Sequence, residues 1–399
     1  MTAIDGFLSF TLAVMLLLVG KVVTLRCQFL RRYSIPEPAI GGLFCAVVTG
    51  LAYFLFDHRV EFDLQMRDFL LLLFFAGVGL KCDVATLLDG GRPLLTLIAL
   101  ATVFMAAQNM VGQGVAALFG MDPLTGLMAG SISLTGGVGT TMAWAPIFEE
   151  KLEIADAGDL GLASNMIGLI AACAIGGPVA AFLIRRHRIE PAVPAGLLVG
   201  TLHDAPPPPL DYFALLWAMF VLNVTIMLGM GLHALISGTG VTLPEFVSCL
   251  VAGIVVRNMA MPLVGARVRA LWPAASEGLS LLLDIALGLF LTMALMGLRL
   301  STLEDFLGFV TVVMLLQIAM SVAYAVFVVF PAMGRDYEAA VVSAAFGGIT
   351  LGSTATAVAN MTAVAQQHGG APRAFLIVPL VCGFFIDIVN AMMVSAFIG

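Results

Sequence analysis

Apolar residues fill ten blocks of this chain, each near the roughly 20 residues a helix needs to cross a bilayer. They run over 7–25, 39–56, 69–88, 93–119, 160–184, 211–236, 245–263, 276–298, 306–332 and 374–397. Two further apolar stretches, 124–148 and 338–365, differ in kind because Gly, Ser and Thr interrupt them. The segment "ISLTGGVGTTMAW", Ile132 to Trp144, is hostile to a continuous helix, since glycine and β-branched residues disfavour one. If both stretches enter and leave on one side, the chain is an all-α polytopic membrane protein of ten spans and two re-entrant hairpins.

The distribution of cations sets the orientation. With the N-terminus outside, Arg59, Arg67, Lys151 and Arg299 fall outside and the remaining 14 of the 18 Lys and Arg fall at cytoplasmic ends and loops. Counting either hairpin as a full crossing flips every later loop and destroys this bias. Both termini are therefore expected outside. The first block, Phe7 to Leu25, is followed by no small-residue cleavage site and is read as a span.

The order of short motifs suggests an internal repeat. "IPE" at Ile35–Glu37 recurs as "LPE" at Leu243–Glu245, and "GLK" at Gly79–Lys81 as "GLR" at Gly297–Arg299. Gln108 matches Gln317, Asp122 matches Asp336, and "GTT" at Gly139–Thr141 matches "GST" at Gly352–Thr354. The predicted division is a first repeat over 1–185, a Pro-rich cytoplasmic linker over 186–210 and a second repeat over 211–399. Five spans in each half make the second repeat inverted, the signature of secondary transporters with a site near the midplane.

Composition agrees with a membrane protein: 61% hydrophobic, 11% charged, with mean hydropathy +1.06. The net charge of −7 comes without a basic stripe beyond the cytoplasmic loops, which argues against nucleic acid as a partner. Six scattered cysteines and five scattered histidines show no zinc or iron spacing.

Two hairpin tips carry the candidate substrate chemistry. Irregular backbone at membrane depth is tolerated only against protein or water. A half-helix beginning after each glycine cluster would aim free N–H groups and a positive dipole end at the membrane centre, which suits a carboxylate. The candidates are Thr135, Gly136, Gly137, Gly139, Thr140 and Thr141 at the first tip, and Gly352, Ser353, Thr354 and Thr356 at the second, with Asn360 close by. Close helix packing through small residues explains the same composition.

Intramembrane acids are costly and mark function by default. Asp387 lies within "FFIDIVNAMM" and shares a helical face with Asn390, offering hard oxygens to sodium; a structural hydrogen bond is the competing reading. Asp284, within "LLLDIALGLF", is a tentative further sodium ligand or a proton carrier. Glu37 and Glu245 each follow a proline and suit helix N-termini. Gln108 and Asn109 read equally as site residues and as glue between helices.

At these motifs the chain resembles the bacterial sodium:glutamate symporters. "YSIPEPAIGGL", "FFAGVGL", "QNMVGQGVAALFGMDPLTGLMAGSISLTGGVGT", "GGPVA", "LPEF", "LFLTMALMGL", "TATAVANM" and "FFIDIVNA" fall in that family's order, nearly end to end. The resemblance implies a transporter rather than an enzyme, with glutamate as substrate, Na+ as co-transported ion and no organic cofactor. It also implies a homodimer whose mobile domain carries both hairpins past a scaffold, an elevator-type movement. Carried onto this chain, it makes the two tips the substrate shell and Asp387 with Asn390 the sodium shell. Val138 stands where the family pattern has His, Ala355 where it has Pro, and Asp284 where it has Asn. Those departures leave a sodium/proton antiporter, or a sodium-coupled carrier of another anionic metabolite, as the alternative. An intramembrane aspartyl protease is a remote one, since no GxGD surrounds Asp284 or Asp387.

Overall fold

The structure, a computed structural model, describes residues 2–27, 37–57, 59–83, 91–189, 212–238, 243–260, 272–299 and 306–398. Most of the Pro-rich linker, 190–210, and the cations Arg31, Arg32, Arg267 and Arg269 lie outside the described residues.

A short parallel pair, β1 (Thr2–Ile4) with β2 (Val60–Phe62), is an addition to the all-α expectation. The helices of the first half are α1 (Gly6–Arg26), α2 (Glu37–Phe56), α3 (Gln65–Lys81), α4 (Gly91–Leu118), α5 (Thr125–Met128), α6 (Ser131–Leu134), α7 (Gly137–Glu150) and α8 (Ala157–His187). Then follow α9 (Tyr212–Ser237), α10 (Glu245–Val255), α11 (Trp272–Met296), α12 (Leu307–Tyr324), α13 (Phe330–Ala332), α14 (Tyr337–Leu351), α15 (Thr354–His368), α16 (Pro372–Leu380) and α17 (Ile386–Ile398).

Seven helices among the described residues are long and apolar enough to cross a membrane: α1, α2, α4, α8, α9, α11, and α12 continued through α13. The pair α16 and α17, bent by 45°, would make an eighth. The other two expected spans are shorter here. α3 has 17 residues and closes at Cys82, whose backbone is extended, while α10 passes into a wide π turn over Val256–Ala260.

Proline accounts for two local unwindings. Pro379 brings no N–H and its ring collides with the carbonyl four residues earlier, and a π turn follows at Val381–Phe385. Pro331 likewise follows a π turn at Ala325–Val329, whose Phe327 is the residue four before it.

The described elements form two compact units. The first gathers β1, β2, α1–α3 and α9–α11; the second gathers α4–α8 and α12–α17. Each draws on both halves of the sequence, so the units and the two halves divide the chain differently.

In the first unit, α3 crosses α10 where both carry glycine. A Cβ on Gly79 would lie 2.2 Å from the Leu250 carbonyl oxygen, and one on Gly253 would lie 2.4 Å from that of Ala76. Lipid tails give apolar helices no hydrophobic reason to associate, so such backbone contact supplies the packing. Beside it Ala76, Leu80, Leu222, Cys249, Leu279 and Leu283 pack as a buried cluster.

The second unit has its core around Phe104, Tyr324 and Phe346, from α4, α12 and α14. α14 is apolar on every face, and all 15 of its residues except Glu338 are buried. A helix apolar all round belongs inside protein or lipid, and this one, shorter than a span, is enclosed by its own unit. α4 meets α5 through Gly112 and Gly126, where either Cβ would strike backbone at 2.1 Å.

The crossing in the first unit yields a paired test. Gly114, on α4, has open space where a Cβ would stand. Gly114→Ala should hold or raise thermal stability by about 0.8–1 kcal/mol, the ordinary helix preference. Gly79→Ala should instead lower it by about 1–3 kcal/mol through overpacking. Heat unfolding of both variants in detergent checks the opposite signs.

Candidate functional site

Both Gly-rich tips belong to the second unit. At the first, α6 ends at Leu134, Thr135 and Gly136 carry the turn, and α7 opens at Gly137. Gly137 has φ +76°, a left-handed conformation that glycine adopts without the strain of a side chain. No side chain caps α7. At the second tip, α14 ends at Leu351, and Ser353 caps α15 by accepting from Thr356 N at 3.3 Å.

The two tips converge. A Cβ on Gly137 would lie 3.8 Å from the Gly352 carbonyl oxygen and 3.9 Å from Asn165 Nδ2. The starts of α7 and α15 therefore face a common region, each with helix N–H groups lacking intrahelical partners and a positive dipole end. That arrangement can hold carboxylates.

Side-chain amides from the flanking helices secure the carbonyls of the opposite ends. Asn165 of α8 donates to Ser133 O at 2.7 Å. Gln108 of α4 donates from Nε2 to Thr350 O at 2.8 Å, and its Oε1 accepts from Thr135 Oγ1. Asn390 of α17 donates to Ser131 O at 2.9 Å and accepts from Ser131 Oγ at 2.6 Å. Asn360 donates to Ala172 O at 3.0 Å and to Ala344 O at 3.3 Å, tying α15 to α8 and α14.

Asp387 is the second residue of α17, just past the Val381–Phe385 π turn. Its half-buried carboxylate accepts from Thr140 Oγ1 at 3.5 Å, a long distance for an O–H···O bond. An acid is thus held against the first hairpin without commitment to a strong donor. Elsewhere in the same unit, Ser133 Oγ, Ser164 Oγ and Gln317 Oε1 are buried without a hydrogen-bond partner among the described residues.

The structure brings most of the sequence candidates to this place. Thr135 reaches Gln108, Gly136 leaves no room for a Cβ beside Asn390 Nδ2, and Thr140 meets Asp387. Gly139 lies in the first turn of α7, while Thr141 bonds back to Gly137 O at 2.8 Å and packs on Gly161. Gly352, Ser353 and Thr356 form the second tip, with Thr354 exposed at the start of α15. Asn390 and Asn360 spend their amide protons on backbone carbonyls. Asp284 belongs to α11 of the first unit and is exposed there.

Ser131, Asn165, Ser321 and Thr350 were not singled out in the sequence. Asn165 had a readable signal, an amide within an apolar block; Thr350 and Ser321 had none, because a single hydroxyl in a span bonds to its own helix as readily as to another.

The sequence matches the family profile described as Sodium/glutamate symporter over residues 2–370. It is 34% identical over 397 residues to the sodium/glutamate symporter of Escherichia coli (strain K12), covering 99% of this chain and 98% of that one. The sodium/glutamate symporter of Haemophilus influenzae is 34% identical over 392 residues, covering 97% and 95%. Among solved structures, the sodium proton antiporter of Methanocaldococcus jannaschii aligns over 98% of this chain and 97% of that one, with TM-score 0.45 and 13% identity.

The Ser131–Asn390 pair predicts graded costs. Asn390→Leu removes two bonds and strands the Ser131 hydroxyl, a buried group whose loss of its partner costs about 1–3 kcal/mol, while the Ser131 carbonyl keeps the N–H groups of Thr135 and Gly136. Ser131→Ala removes a single bond and should destabilise less. Heat unfolding of the two variants should rank them in that order.

Proposed function

Because this chain belongs to the sodium/glutamate symporter family, we propose that it imports L-glutamate with sodium by alternating access. The observation that carries this reading is the convergence of two glycine breaks, Gly137 and Gly352, beside the uncommitted carboxylate of Asp387.

Glutamate presents two carboxylates, and the tips present two helix N-termini. The N–H groups of the first turn of α7, from Gly137 to Gly139, lack both intrahelical partners and a side-chain cap, so they are available to one carboxylate. α15 offers its first turn to the other, with Ser353 and Thr354 hydroxyls at its mouth. Sodium is the second cargo. Asp387 supplies the anionic oxygen and Thr140 a neutral one, with Asn390 holding the hairpin through Ser131.

An ion there screens the Asp387 carboxylate from the incoming glutamate. It also fixes Thr140, and through it the turn of α7 that receives the substrate. Sodium and glutamate then favour one another reciprocally, as linkage requires.

The architecture completing this mechanism is ten spans in two inverted repeats, with hairpins at about 124–148 and 338–365 entering from opposite sides. Both termini lie in the periplasm of the bacterial inner membrane. A homodimer provides the scaffold past which the hairpin-bearing unit moves, elevator fashion.

Purified protein in liposomes should accumulate glutamate only under an inward sodium gradient; equal uptake with potassium in place of sodium overturns the coupling. Asp387→Asn should weaken the sodium enhancement of glutamate binding by a factor within the roughly 5–150-fold range of such couplings. An unaltered enhancement removes Asp387 from the ion site.

A further inference from the structure

We propose that Gln108 is the positioning residue that makes the two hairpin tips respond as one, setting how strongly sodium raises glutamate affinity. The proposal rests on the transport reading above and adds to it a coupling element outside both binding shells.

Gln108 is fully buried, and one planar carboxamide serves both hairpins. Its Oε1 accepts from Thr135 Oγ1, and its Nε2 donates to Thr350 O at 2.8 Å. Thr135 immediately precedes Gly136 of the first break, and Thr350 lies two residues before Gly352 of the second. The tether therefore holds each chain at the point where its helix stops. The direct approach of Thr135 Oγ1 to Thr350 O is 3.4 Å, longer than either bond through Gln108.

Residue chemistry explains why an amide is needed. The bridge must accept from a hydroxyl at one end and donate to a carbonyl at the other. A carboxamide carries both capacities on one rigid group, whereas an ionised carboxylate only accepts and a thioether is a weak acceptor alone. In a water-poor interior such a bridge is strong when complete and costly when broken.

The bridge is also anchored from behind. The backbone oxygen of Gln108 accepts from Gln317 Nε2 at 2.9 Å, joining α4 to α12 at the same residue. One turn further along α12, Ser321 Oγ meets Thr350 Oγ1 at 2.8 Å. Gln108, Gln317, Ser321 and Thr350 are all fully buried. The hairpins thus share a fixed back plate, and a displacement of one at its break is resisted at the other.

Asp387 touches the first hairpin through Thr140, five residues beyond Thr135 and across the break. An ion that orders Thr140 orders the turn to which Thr135 belongs. Gln108 carries that order to Thr350 and so to the α15 tip.

The test measures glutamate affinity of the full-length purified protein at a series of sodium concentrations. The wild-type chain should bind more tightly as sodium rises. Gln108→Met, of similar shape, should still bind glutamate but lose most of that enhancement, at least about fivefold of it. Gln317→Met removes only the anchor behind Gln108 and neither of its bonds to the hairpins, and should lose clearly less of the enhancement. Wild-type enhancement in Gln108→Met, or an equal loss in Gln317→Met, overturns the proposal. If Gln108→Met does not fold, Thr135→Val and Thr135→Ser decide: the first should lose the enhancement and the second, which keeps the hydroxyl, should retain it. Equal behaviour of these two overturns the proposal as well. A wild-type chain indifferent to sodium overturns the transport reading itself, and is recognised before any variant is measured.

Discussion

A helix interrupted at membrane depth exposes carbonyls and N–H groups that hydrocarbon does not satisfy, and the second unit is organised around that constraint. Three amides resolve half of it. Asn165, Asn390 and Gln108 give their protons to Ser133, Ser131 and Thr350. All of these are carbonyls beside the two breaks, so the negative ends of the interrupted helices are met by protein. The N–H ends, at α7 and α15, are left largely without protein partners. The anion preference that the proposed function requires follows from which backbone groups the surrounding helices have already taken.

Backbone contact through glycine plays the corresponding role in packing. The α3–α10 crossing in the first unit and the α4–α5 crossing in the second place a carbonyl where any Cβ would stand. Such crossings gain dispersion contact that the lipid otherwise supplies equally well to either surface. They also explain why glycine is frequent in helices whose intrinsic propensity it lowers.

Much of this was legible in the sequence because long apolar blocks and hydroxyl-rich interruptions are local signals. α14 shows the strength of composition: apolar like a span, it is 15 residues long and enclosed by its unit. Asp387 and the two glycine tips were readable for the same reason. What the sequence concealed depends on distance. Gln108 bonds Thr350, 242 residues away, and nothing in its own segment distinguishes a bridge from ordinary helix glue. Asn390 was readable as a neighbour of Asp387, but its engagement with Ser131, 259 residues earlier, was not. Asp284 illustrates the converse: depth within a span is readable, whereas membership of the first or the second unit is a property of the packing.

The two tips are not equivalent, although the motifs that mark them match. Ser353 occupies one N–H of α15 with its own oxygen, so that tip is partly satisfied by protein before any ligand arrives. α7 has no such cap, and Val138, buried among its neighbours, brings no polar group to replace it. The first tip therefore holds the larger share of unpaired N–H groups while lying against Asp387, the acid that would repel an anion there. Positive dipole and negative carboxylate oppose one another at a single turn of helix. In the proposed mechanism a cation on Asp387 removes the repulsion without touching the dipole, so that ion occupancy at the first hairpin changes its affinity for a carboxylate.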